Sequence, residues 1–309
     1  MASPTIRMAP ADWLWIVVLA AIWGGSFIFI ELALTGFGPF ALVTVRLAIG
    51  SVLLILWLIA SGRFPQLTRE RCAALVVMGL LNNAIPFSLL TWSQTELGAG
   101  LASIFNAMTP LFTILVAHVW TSDDRMTPSR LAALITGFAG VIVLMGGESL
   151  SELGSNLWPQ LIALSSSVFY AIAGVYGRRV ARMGLPPDAA AAGQCFAAFL
   201  WMLPVALIFD RPWEQPAPGW IAWGGLIALA VLSTSIGYLI FYKVLARSGA
   251  TNAALVTFLV PVSAILLATT FLGEHMTASQ WAGMALIFAG LAVADGRLAA
   301  YLRRSKLKP

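Results

Sequence analysis

The sequence predicts an all-α integral membrane protein of ten spanning helices, arranged as two inverted five-helix repeats with both termini on the cytoplasmic side. Three observations lead there: a composition too apolar for water, basic residues gathered mainly on one side of the predicted spans, and an internal repeat. Of the 309 residues, 60% are hydrophobic and only 10% are charged, with a mean hydropathy of +0.88. A soluble domain carries roughly 25% charged residues. A chain this apolar cannot cover a globule with polar surface, so its solvent is the lipid bilayer.

A spanning helix needs about 20 mainly apolar residues. Ten runs meet that length: 12–31, 39–60, 72–93, 98–120, 128–146, 157–178, 188–209, 219–243, 250–272 and 278–296. A β-barrel would show alternating strands of about 10 residues, and these runs are continuous and about twice as long. The first run has a single upstream Arg7 and no small-residue cleavage site after it, so it is expected to be a retained helix and not a signal peptide. Turn and charge signals fill the short gaps, among them Gly62-Arg63-Phe64-Pro65, Asp123-Asp124-Arg125, Gly146-Gly147-Glu148 and Leu185-Pro186-Pro187-Asp188. Cys72 and Cys195 lie within apolar helices, which points to small buried hydrophobes and to neither a disulfide framework nor a metal site.

With the amino terminus in the cytoplasm, 16 of the 18 Lys and Arg residues fall in cytoplasmic segments. Only Arg211 lies on the opposite face, and Arg46 lies inside the second helix. That bias sets orientation, because cytoplasmic loops carry the excess of Lys and Arg. Basic charge dealt out loop by loop on one face also argues against nucleic acid as a partner.

A shift of 151 positions lays the third and fourth helices on the eighth and ninth. Gly98-Ala99 meets Gly249-Ala250, Pro110 meets Pro261, and Ile114 meets Ile265. After a one-residue slip, Phe138-Ala139-Gly140 meets Phe288-Ala289-Gly290. The chain therefore divides into residues 1–150 and 151–309. Each half holds an odd number of helices, so the second must cross in the opposite sense. Inverted repeats are a signature of secondary transporters, whose solute site lies near the midplane between the halves.

Polar residues in hydrocarbon are costly and face a cavity or another helix. The same shift pairs Asn82 and Asn83 with Ser233 and Thr234, Asn106 with Thr257, and Phe87 with Tyr238. Helical spacing puts Asn83, Phe87 and Leu90 on one stripe, and Thr234, Tyr238 and Tyr242 on its partner. These groups would form a neutral hydrogen-bonding site with Trp23, Phe87, Trp92, Tyr170 and Tyr238 as an aromatic wall. The alternative is that Asn, Ser and Thr only tie helices together. Pro86, Pro110 and Pro261 lie inside helices, where each removes a backbone bond and makes either a hinge or a static bend. Gly24 and Gly79 are expected at close helix crossings. Arg46 lies about 10 Å from the outer end of its helix. It can meet a solute carboxylate, snorkel outward, or pair with Glu31, Glu96 or Glu274, and pairing is the favoured expectation.

Other features are missing. No carboxylate sits in a helix core, which disfavours organic cations as cargo and proton coupling through a buried acid. There is no phosphate-binding Gly-x-x-x-x-Gly-Lys-Ser/Thr loop. His118 and His275 belong to opposite faces, and no paired catalytic constellation appears, so neither an enzyme nor a cofactor is expected.

Several motifs resemble the drug/metabolite transporter superfamily, and specifically its EamA-type members. They are Ile22-Trp23-Gly24-Gly25-Ser26-Phe27, Arg46 after Pro39, Ser235-Ile236-Gly237-Tyr238, Gly249-Ala250, Pro261, Leu272-Gly273-Glu274 and Phe288-Ala289-Gly290. The chain departs from the pattern at Ser122-Asp123-Asp124, the first-half counterpart of Gly273-Glu274. The resemblance implies ten helices, a central cavity lined by helices one to four and six to nine, and export of small metabolites across the bacterial inner membrane. A neutral, aromatic-lined site suits amino acids, neutral and aromatic ones included, as in the similar aromatic amino acid exporter branch. Sugar nucleotides, phosphorylated metabolites or drugs are the alternative cargo, and the phosphorylated ones call for at least two cavity cations where only Arg46 qualifies. A membrane-embedded enzyme or assembly factor is a third reading that the repeat disfavours. Ten helices already enclose a cavity, so a monomer is expected.

Overall fold

The computed structural model describes residues 10–121, 126–145 and 157–295. Among the described residues, eight helices are long and apolar enough to cross a membrane: α1 Pro10–Leu34, α2 Pro39–Ala60, α3 Arg69–Ser93, α4 Ala99–Trp120, α5 Pro128–Met145, α6 Leu157–Arg182, α7 Pro187–Phe209 and α8 Trp220–Gly249. Two shorter apolar helices come after them, α9 Val256–Leu272 and α10 Ala278–Ala294. Helix starts carry proline in the first turn at Pro39 and Pro187, where the missing N–H costs nothing. Ends at Gly62, Gly184 and Gly273 take φ of 65°, 67° and 67°, the left-handed value that glycine adopts freely. The expected division at residue 150, the Asp123-Asp124-Arg125 connection and the basic residues at both termini lie outside the described residues.

Two expected helices differ in detail. The run 98–120 is not continuous, because it breaks after Ala99–Asn106 and resumes at Thr109–Trp120. Pro110 has no N–H for the Asn106 carbonyl. That oxygen instead accepts from the Thr109 hydroxyl at 2.8 Å and the Ser167 hydroxyl at 3.3 Å. The run 250–272 is also interrupted: Gly249 turns the chain with φ 77° and ψ 166°, a short helical piece continues to Ala253, and the helix resumes at Val256.

Packing obeys one rule: exchanging helix n with helix n+5 leaves the scheme unchanged. The main contacts of α1 are with α8 and α9, and those of α6 are with α3 and α4; α2 packs on α7 and α5 on α10. Glycines set the closest crossings. A Cβ on Gly140 would come within 2.7 Å of the Gly283 carbonyl, and one on Gly290 within 2.7 Å of the Ala133 carbonyl. The small residues of α5 and α10 thus pack on each other within one chain. Gly24 and Gly79 do the same work at α1·α9 and α3·α7, where a Cβ would approach backbone at 2.8 and 2.6 Å.

Helices α3, α8 and α9 each contain a wide π turn, at Leu80–Ala84, Leu229–Ile236 and Ala268–Leu272. The first two coincide under the 151-residue shift. In α3 the cause is local, because Pro86 cannot donate to the Asn82 carbonyl and the ladder opens by one residue. In α8 no proline is present. There the hydroxyls of Thr234 and Ser235 reach back five residues to the carbonyls of Leu229 and Ala230, at 3.2 and 3.0 Å.

Candidate solute cavity

A cavity of about 400 Å³ opens at the centre of the bundle, where helices of both halves meet. Its walls come from α1, α2, α3, α4, α6, α8 and α9. Helix α7, included by the family resemblance, contributes no lining residue. It backs α3 instead, where Gln194 accepts a hydrogen bond from Asn82 at 3.3 Å.

Of the residues singled out from the sequence, Trp23, Arg46, Asn82, Phe87, Asn106, Tyr170, Tyr238 and Thr257 line the cavity, and so does Pro261. The wide turns then sort neighbours. Asn82 and its repeat counterpart Ser233 face the cavity, whereas Asn83 and its counterpart Thr234 are fully buried behind the wall. An extra residue in a turn rotates the helix before it by about 100° relative to the helix after it. The stripe drawn through Asn83 and Phe87 is therefore broken, and Asn82 takes the inward place. Trp92 is partly buried and does not line the cavity, and neither do Pro86 or Pro110, each of which opens a new helical segment.

Behind the wall, Asn83 and Thr234 hold other side chains. The Asn83 amide donates to the Tyr238 hydroxyl at 2.9 Å, and Asn82 approaches the same oxygen at 3.4 Å. Tyr238 stacks on Tyr242 with ring centres 6.2 Å apart. Trp23 donates from its indole to the Ser233 carbonyl at 3.1 Å and lies 5.4 Å from Phe241. Gly237 is what lets Trp23 sit there, because a Cβ at that position would fall 2.6 Å from the indole nitrogen.

Arg46 departs from its favoured expectation. It is buried, with 6% of its surface exposed, and it pairs with none of Glu31, Glu96 or Glu274. Its Nε donates to the Thr234 hydroxyl at 2.9 Å, and its guanidinium lies 3.8 Å over the Phe87 ring. Glu274 is engaged elsewhere, capping the start of α4 through the backbone N–H groups of Ala99 and Gly100 at 2.7 and 3.0 Å. Asp210 caps α2 in the same way through Ala41 N–H at 2.6 Å. Burial pushes the Asp210 carboxyl above its ordinary value, against the lowering effect of the Ala41 and Phe40 amides. Both acids face helix starts whose own caps, Gly38 and Gly98, bring no side chain.

Tyr242, placed on the Tyr238 stripe from the sequence, also lines the space, and so do residues not singled out, among them Ser26, Met78 and Phe241. Helical spacing held the signal for the latter: Ser26 is three positions after Trp23, Met78 four before Asn82, and Phe241 three after Tyr238. Among the described residues, no group of three or more His, Cys, Asp or Glu side chains could hold a metal ion.

The model of the EamA-like transporter family matches this chain twice, over residues 13–146 and 157–294. The chain belongs to that family. It is 26% identical to the uncharacterized inner membrane transporter YedA of Escherichia coli strain K12, over 90% of this chain and 89% of that protein. It is 27% identical to the uncharacterized transporter YvbV of Bacillus subtilis, over 90% and 89%. The uncharacterized transporter sll0355 of Synechocystis is 25% identical over 89% and 87%. A solved crystal structure of a protein superposes with a TM-score of 0.67 at 21% identity, over 96% of this chain and 99% of that one, and so shares the fold. The chain is a multi-pass membrane protein of a transporter family.

Proposed function

We propose that this protein is a secondary transporter that exports small metabolites, amino acids foremost, across the bacterial inner membrane by alternating access at the central cavity. The observation that carries the reading is the composition of that cavity. Uncharged hydrogen-bonding groups from both halves, Asn82, Asn106, Tyr238 and Thr257, converge with aromatic faces and one cation. Such a lining fits a zwitterion with an apolar side chain, aromatic amino acids included, in line with the resemblance to the aromatic amino acid exporter branch. Two matches to one family model and the n to n+5 packing rule support two repeats that can exchange conformations. The name of YedA supports the inner membrane. Pro86, Pro110 and Pro261 mark the segment boundaries and bends about which the halves would move. No enzymatic step is needed, and the protein acts as a monomer.

The test is counterflow of radiolabelled amino acids in proteoliposomes, comparing the wild-type chain with Asn106→Ala and Asn83→Ala. Saturable flux lost in Asn106→Ala and weakened in Asn83→Ala, with both proteins folded, is the expected result. Flux unchanged in both would place the site elsewhere.

A further inference from the structure

Arg46 has the form of half an interaction. Its Nε is fixed on Thr234 at 2.9 Å, and Thr234 is itself held through its hydroxyl on the Leu229 carbonyl at 3.2 Å. Phe87 covers one face of the guanidinium plane at 3.8 Å. The two terminal nitrogens donate to no described residue, are not fully sealed from open space, and belong to a side chain that lines the cavity. It is the one charged side chain among the described lining residues.

Two arginines of this chain that meet acids look different. Arg247 meets Asp12 at 2.8 Å, and Arg63 meets Asp188 at 3.8 Å. No described acid pairs with Arg46, although it is far more buried than either. An uncompensated charge inside a membrane protein is costly, and snorkelling is blocked by the tether to Thr234. The arrangement leaves the edge of a planar fork, whose parallel N–H groups match a carboxylate, pointing at open space.

We infer that the solute carries a single carboxylate and that it binds end-on to the terminal nitrogens of Arg46, which makes this residue the selector for anionic head groups. The inference deepens the transport reading above and rests on it for its setting in a moving carrier. A lone cation balances a carboxylate, whereas a phosphate dianion or a sugar nucleotide leaves charge unmatched in a cavity with no second one. An organic cation is repelled. The uncharged amides and hydroxyls opposite, Asn106 and Thr257 among them, are left to meet the rest of the solute.

Three probes separate the groups: phenylalanine, phenylalaninamide, which lacks the carboxylate, and phenylpropionate, which lacks the amine. Each is tested for counterflow in proteoliposomes and for thermal stabilisation of the purified full chain, with wild type, Arg46→Gln and Arg46→Lys. Expected are flux and stabilisation by the two carboxylates, at least ~10-fold weaker effects with the amide, loss of the difference in Arg46→Gln and partial retention in Arg46→Lys. The comparison of probes on wild type alone is decisive even where Arg46→Gln does not fold. Phenylalaninamide moving as well as phenylalanine overturns the inference and leaves transport of amino compounds standing. Arg46-dependent stabilisation by phenylpropionate without phenylalanine flux keeps the inference and removes the amino acid reading. Neither carboxylate moving or stabilising overturns the inference.

Discussion

Helices α3 and α8 are the two halves' versions of one wall, and they reach the same wide turn by different chemistry. In α3 the turn at Leu80–Ala84 precedes Pro86, which deletes a backbone donor. In α8 the turn at Leu229–Ile236 precedes Gly237, and hydroxyl side chains satisfy its carbonyls. In each, the first polar residue of the pair faces the cavity and the second backs the wall. The amides of α3 are donors, and the groups of α8 that they and Arg46 meet are hydroxyls, so the second residues end up serving opposite partners: Asn83 holds Tyr238 and Thr234 holds Arg46. A shared backbone device with divergent side chains thus yields one asymmetric site on a pseudo-symmetric scaffold.

The sharpest way to break this comparison is Thr234→Val, which leaves the buried Arg46 Nε without its acceptor. Hydrogen bonds to charged groups contribute about 1.5–3 kcal/mol, so a loss of roughly 10- to 100-fold in counterflow is expected. Next is Gly237→Ala, whose new methyl meets the Trp23 indole. Overpacking of this kind costs about 1–3 kcal/mol, to be seen as a lower melting temperature in detergent, with Gly224→Ala, where a Cβ meets nothing within 4 Å, as the neutral control. A smaller effect is expected from Tyr238→Phe, which removes the hydroxyl shared by both α3 amides and leaves Asn82 with Gln194. About 1 kcal/mol, a several-fold drop in flux with the fold intact, would be measured. Smallest is Pro86→Ala. It restores a donor to the Asn82 carbonyl, so a melting temperature equal to or slightly above wild type is expected, with slower counterflow if the wide turn closes.

Most of the fold is legible in the sequence because apolar length and Pro/Gly ends fix helix limits. The run 39–60 is found unchanged, and most other limits shift by a few residues. The breaks are legible only in part: Pro110 marks the interruption of α4 and Gly249 the turn before residue 250, but no proline or glycine inside Leu229–Ile236 announces the wide turn of α8. That turn arises where the hydroxyls of Thr234 and Ser235 replace the regular ladder. At the cavity, the repeat alignment pairs Asn82 with Ser233, Asn106 with Thr257 and Phe87 with Tyr238, all of which line the space. Ideal helical spacing then points to Asn83 and Thr234, since it assumes 3.6 residues per turn across a turn that holds more. Of the three acids sought for Arg46, Glu274 is committed to the start of α4, and neither Glu31 nor Glu96 pairs with it.

The central claim, that solute passes through the cavity between the halves, is tested most directly by thiol accessibility. Thr257→Cys is introduced with Cys72→Ser and Cys195→Ala, and an impermeant maleimide is applied to either side of oriented vesicles. Labelling from both sides, slowed in each case by the transported amino acid, is the expected result. Reactivity from one side only, or labelling that substrate leaves untouched while flux continues, would contradict the claim.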